Sequence, residues 1–94
     1  MPAVRAHLYS VEQADLEEFL ARRASLIGTV REKHPGLTVT RLVRLDDGTY
    51  SDTWQWESGE QLAAALAATF PEAPLAMGLT RDGTVSNGEV VDER

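Results

Sequence analysis

Tyr50, Asp52, Trp54 and Trp56 occupy alternate positions, so on an extended strand their side chains leave the same face. The chain holds two Trp, two Tyr and two Phe, so this one face gathers three of its six aromatic residues beside a carboxylate. Two indoles can stack on a planar apolar ligand. A carboxylate in apolar surroundings loses hydration that favours its charged form, and can then act as general base towards a phenol or carbon acid. The plainer alternatives are that Trp54 and Trp56 are core and that Asp52 is a structural ion-pair partner of Arg41 or exposed at the sheet edge.

Other candidates are sparser. Arg41 could lie over Trp54 as a cation–π contact or bind an anionic ligand group. His7 could exchange protons near neutral pH or serve a structural or interface role. His34 reads as a helix-end residue. With no third ligand near them in sequence, these two histidines give no metal signature. Cysteine is absent, which excludes a disulfide framework and a thiolate nucleophile. Neither a glycine-rich phosphate loop nor a nucleophile elbow occurs.

The elements that position these residues are legible from periodicity. Val4 to Tyr9 reads as a strand with Val4, Ala6 and Leu8 on one side and Arg5, His7 and Tyr9 on the other. Ser10 with Gln13 forms a capping-box pattern ahead of a helix. That helix carries Leu16, Phe19, Leu20, Ala24, Ile27 and Val30 as an apolar stripe. Acidic residues open it, Arg31, Lys33 and His34 close it, and Pro35-Gly36 ends it.

Leu37 to Leu45 reads as a second strand. Asp47-Gly48, taken as a two-residue hairpin turn, sets Leu45 against Tyr50, Val43 against Asp52, Arg41 against Trp54 and Val39 against Trp56. The opposite face then holds Thr38, Thr40, Leu42 and Arg44 against Ser51, Thr53, Gln55 and Glu57, and is polar. Ser58 with Gln61 caps a second helix, Glu60 to about Thr69, with Leu62, Leu66 and Phe70 on one side. Glu72 to Leu79 is expected to be a loop or a short helical turn. Asp82-Gly83 reads as a turn, and Thr84 to Val91 as a last strand interrupted at Asn87-Gly88 by a bulge or turn.

Ninety-four residues make one domain with a thin core, for which oligomerisation is a natural supplement. A net charge of −6 and a pI near 4.7 argue against nucleic acid and anionic membrane surfaces as partners. No apolar run approaches the roughly 20 residues of a membrane span, and a cytoplasmic location is expected.

Strand, helix, strand, strand, helix, strand is the α+β, ferredoxin-like order: an antiparallel four-stranded sheet with two helices on one face. Together with Trp56-Glu57-Ser58 and Glu60 leading into an Ala/Leu helix, the chain resembles the dimeric α+β-barrel superfamily, and within it the antibiotic-biosynthesis-monooxygenase-like group. The resemblance implies a homodimer whose sheets close into a barrel, with a pocket between each sheet and its helices. It also implies action on a small hydrophobic aromatic, polyketide-like ligand with no metal or flavin, or a non-catalytic binding or interaction module on the same frame. Trp56 matches the strand Trp of the polyketide-oxygenating branch, Asp52 stands where that branch has Asn, and Leu62 about where it has Tyr. The haem-degrading branch places a histidine on the second helix, and residues 59–79 contain none. On this reading Asp52 and Trp56 are the catalytic candidates, and Trp54, Tyr50, Arg41 and His7 the substrate-binding ones.

Overall fold

The computed structural model describes all 94 residues. Strand β1 (Ala3–Val11) leads through a 3-10 turn (Gln13–Asp15) into helix α1 (Leu16–Lys33). A hairpin of β2 (Leu37–Arg44) and β3 (Tyr50–Trp56) follows, then α2 (Gly59–Ala67), the short α3 (Glu72–Met77) and β4 (Thr80–Glu89). The sheet order is β2-β3-β1-β4 with every neighbouring pair antiparallel, the ferredoxin-like arrangement expected from the element order. Segment 72–79 is mostly helical rather than a loop, so three helices accompany the sheet.

The hairpin differs from its expected form, with consequences for the site. Leu45 and Thr49 flank a three-residue loop, with the Gly48 N–H donating to the Leu45 carbonyl and the Leu45 N–H to the Thr49 carbonyl. Gly48 takes φ +88°, as the last residue of such a loop requires. The Asp47 carboxylate accepts bonds from the Thr49 backbone N–H and hydroxyl. The extra residue slips the pairing by one: Leu42 faces Asp52, Thr40 faces Trp54 and Arg44 faces Tyr50. A one-residue slip moves every side chain of a strand to the other face. Arg41 therefore lies on the face away from Asp52, so neither the Asp52–Arg41 pair nor an Arg41–Trp54 contact forms. Arg44 instead lies over the Tyr50 ring, 5.5 Å from its centroid, and donates to its hydroxyl. An extra residue at Thr38 returns Leu37 to the helix side, where it is buried opposite Trp56.

The helix-covered face of the sheet has two packed ends. At one, Tyr9 and Tyr50 stack at 6.4 Å and Phe19 meets Tyr9 edge-on at 5.5 Å. At the other, Ala3, Leu37 and Trp56 pack with Leu26, Ile27 and Val30 of α1 and with Leu62, Ala65, Phe70 and Ala76. The buried side of α1 is rotated from its expected stripe: Leu20 and Ala24 are exposed, while Phe19, Leu26, Ile27 and Val30 are buried. Ser10 is a strand residue paired with Arg81 and caps nothing. Ser58 does cap α2, its Oγ accepting from the Gln61 N–H, although the Gln61 side chain turns to Glu57. Asp82 and Gly83 form a bulge within β4 opposite Tyr9, with Asp82 at φ +56°, rather than a turn. Asn87 and Gly88 pair regularly.

The other face of the sheet is uncovered. The true register places Leu8, Val39 and Val43 there, 48%, 41% and 42% exposed, so this face is more apolar than the expected pairing implied.

Candidate functional site

Between the two packed ends, sheet and helices stand apart around a cavity of about 270 Å³. The sheet contributes Arg5 and His7 from β1 and Asp52, Trp54 and Trp56 from β3. The helical side contributes Leu26 and Val30 from α1, Leu62, Ala65 and Leu66 from α2, and Ala68, Phe70, Ala73 and Met77 beyond it. Position on alternate residues of adjacent strands, His7 directly opposite Asp52 and Arg5 opposite Trp54, makes the sheet side one continuous floor. Helix α3 is tied to α1 by Thr29 donating to Glu72 and by Arg22 donating to the Leu75 carbonyl at 2.9 Å, which fixes the far wall.

Asp52 is the most constrained residue of the floor. It is 2% exposed, and its two oxygens accept four bonds. Arg23 donates twice, Nη2 to Oδ1 at 2.7 Å and Nε to Oδ2 at 3.0 Å. The Tyr9 hydroxyl donates to Oδ2 at 2.7 Å and the Trp54 indole N–H to Oδ1 at 3.0 Å. A carboxylate offers about four lone-pair sites, so all are taken. Such an acceptor has no free lone pair for a substrate proton; it positions its donors instead. Burial and the bond to Asp52 push the Tyr9 hydroxyl far above the usual phenol range, so it stays a protonated donor.

His7 is differently placed. It is half-buried on the cavity floor, and burial first, then the neighbouring Arg5 charge, lowers its pKa below 6.5 against a smaller opposing pull from Asp52. It is therefore neutral near pH 7, with a ring nitrogen able to accept a proton. Trp56 is buried at the inner wall, and its indole N–H has no acceptor, the one buried side-chain polar group so orphaned.

Of the residues singled out from sequence, Asp52, Trp54, Trp56 and His7 come together at the cavity. Tyr50 lies outside it, in the aromatic end cluster, and Arg41 is on the opposite sheet face. His34 packs edge-on against Phe70 at 5.8 Å. Sequence reasoning passed over Arg5 as part of a polar strand side, and Arg23 altogether. Arg23 had a signal: it falls four residues after Phe19 and four before Ile27, inside the stripe that α1 turns to the sheet.

No protein-family model matches the sequence, and neither does any curated protein sequence. Solved structures do match in shape. A mutant of SnoaB, a cofactor-independent oxygenase from Streptomyces nogalater, superposes with a TM-score of 0.79 at 19% identity, over 98% of this chain and 95% of that one. An antibiotic biosynthesis monooxygenase matches with a TM-score of 0.72 at 21% identity, over 98% of this chain and 100% of that one. A haem-degrading protein from Mycobacterium tuberculosis matches with a TM-score of 0.68 at 23% identity, over 100% and 99%. The chain thus has the α+β ferredoxin-like fold of the antibiotic-biosynthesis-monooxygenase-like structures.

Proposed function

We propose that this protein takes a flat, hydrophobic aromatic molecule into the cavity and prepares it, by removing a proton, for reaction with dioxygen without a cofactor. The observation that carries the reading is the cavity itself: eleven of its fourteen lining residues are apolar, and the remaining three are Arg5, His7 and Asp52. Few polar groups on an apolar wall is the usual composition of a small-molecule site. Trp54 and Trp56 are the stacking surfaces, and the orphaned Trp56 N–H would gain an acceptor from a carbonyl-bearing ligand. His7 is the proton acceptor in this scheme. Asp52 holds Trp54, Tyr9 and Arg23 in place and acts through them rather than on the substrate.

The working unit in this proposal is a homodimer, and the supporting feature is the uncovered sheet face with Leu8, Val39 and Val43. A cytoplasmic setting belongs to the same proposal, on composition alone.

Anthrone tests the reaction. Its oxidation to the quinone consumes one dioxygen, of which one atom enters the product carbonyl and the other leaves as water. Wild type should consume oxygen; His7→Gln should lower kcat by about a hundredfold or more, the usual contribution of a positioned base; and Ala65→Phe, which fills the cavity, should abolish binding. Absence of both binding and oxygen uptake would overturn the proposal. Binding without uptake would instead establish a non-catalytic ligand-binding module, a reading that the saturated Asp52 carboxylate favours.

A further inference from the structure

We propose that the ligand of this cavity is an aromatic acid, whose carboxylate or other anionic group is held by Arg5 while its rings lie against the tryptophans. The inference deepens the reading above and rests on the cavity accepting an aromatic ligand.

The charges on the cavity floor do not balance. Asp52 is matched by the bidentate Arg23 and carries no unanswered charge towards a ligand. His7 is uncharged near neutral pH, held so by burial and by Arg5 itself. Arg5 remains. Although the chain carries 15 acidic residues against nine Lys and Arg, none of its four ion pairs includes Arg5. The sole side-chain partner of Arg5 is a neutral one, the Asn87 amide oxygen, which accepts from Nη1 at 3.0 Å. Asn87 stands directly opposite Arg5 across β1 and β4, so it orients the guanidinium without neutralising it.

A guanidinium has five N–H donors in a planar fork that fits a carboxylate with two parallel bonds. Partial burial next to apolar walls strengthens that attraction relative to open water. A neutral ligand would leave the same cation unanswered. Arg5 is half-buried at the cavity, and its neighbour β4 is exposed from Arg81 through Glu89. The anionic end of a ligand would therefore meet Arg5 on the solvent side while its rings reach inward to Trp54 and Trp56.

Calorimetric titration with 2-naphthoate and its neutral amide, 2-naphthamide, at neutral pH separates the possibilities. For wild type, the naphthoate should bind about tenfold more tightly or better, the value of a hydrogen-bonded charge. Arg5→Met and Arg5→Gln should both remove that preference, with naphthamide still bound and unchanged thermal melts showing that the variants fold. Equal affinities in wild type, or a preference that survives both substitutions, would overturn Arg5 as the anion site and leave the aromatic cavity standing. Failure of both compounds to bind wild type would overturn the cavity reading and this inference together.

Discussion

Replacing Arg23 by Met is the most informative single perturbation of the site. The Met side chain keeps much of the apolar stem and removes both bonds that Arg23 gives Asp52, at 2.7 and 3.0 Å. The Asp52 side chain is 3% exposed and that of Arg23 13%, so water cannot readily replace the lost donors. Asp52 would keep only Tyr9 and Trp54 as partners, two neutral groups around a buried negative charge. Removing one member of a buried ion pair costs about 3–5 kcal/mol. In a domain of this size each kcal/mol lowers the melting temperature by about 4–8 °C, so a fall of about 12 °C or more is expected.

Urea denaturation followed by tryptophan fluorescence, at fixed protein concentration, measures the cost. The companion double variant, Arg23→Met with Asp52→Leu, removes both charges and should recover most of the loss, giving a coupling above about 1 kcal/mol. A cost below about 1 kcal/mol for Arg23→Met, or a double variant as unstable as the sum of its single variants, would show that Arg23 and Asp52 are not a coupled buried pair.

Three further outcomes follow from the geometry. Because burial and Arg5 lower the pKa of His7 below 6.5, the folded protein takes up this proton less readily than the unfolded chain. The His7 contribution is therefore intact above pH 6.5 and is lost as the pH falls from there to the lowered folded value, below which it stays flat. Between about pH 7.5 and about pH 5 the urea midpoint of His7→Gln should fall less than that of wild type; parallel falls would contradict the assignment. Gly48→Ala forces an L side chain to φ +88° where no steric contact offsets the strain, and should cost about 1–2 kcal/mol in chemical denaturation. Val43→Asp puts a charge on the sheet face assigned to the proposed dimer, so light scattering should find wild type dimeric and the variant shifted towards monomer. An unchanged mass would argue for a different mode of assembly.

The order of elements was legible from the α1 charge pattern, the Ser58 cap and the alternation of β3, all of which describe what forms, whereas the Ser10 capping pattern does not. Pairing register was not. Asp46-Asp47-Gly48 and Asp47-Gly48 are both good turns, and the choice depends on one residue, yet it decides which face carries Arg41 and which carries Leu42. The Asp47 bonds to Thr49 favour the longer loop, and such local side-chain bonding is hard to weigh from composition alone. The site was half legible for a similar reason. Trp54, Trp56, Asp52 and His7 announce themselves by type and spacing within single strands. Arg23 reaches Asp52 from another element 29 residues away, a contact that depends on the rotation of α1 about its axis. That rotation is set by how Phe19, Leu26 and Val30 pack; the spacing of Phe19 and Ile27 points to it, but Leu20 and Ala24 make a competing stripe.

In the proposed function an aromatic ligand occupies the space between sheet and helices. Nuclear Overhauser contacts between bound 2-naphthoate and the protein test it most directly. Contacts from the rings to Trp54, Trp56, Phe70 and Met77 are expected, all lost in Ala65→Phe. Contacts confined to Leu8, Val39 and Val43 on the other face of the sheet would contradict it, as would a ligand that gives none.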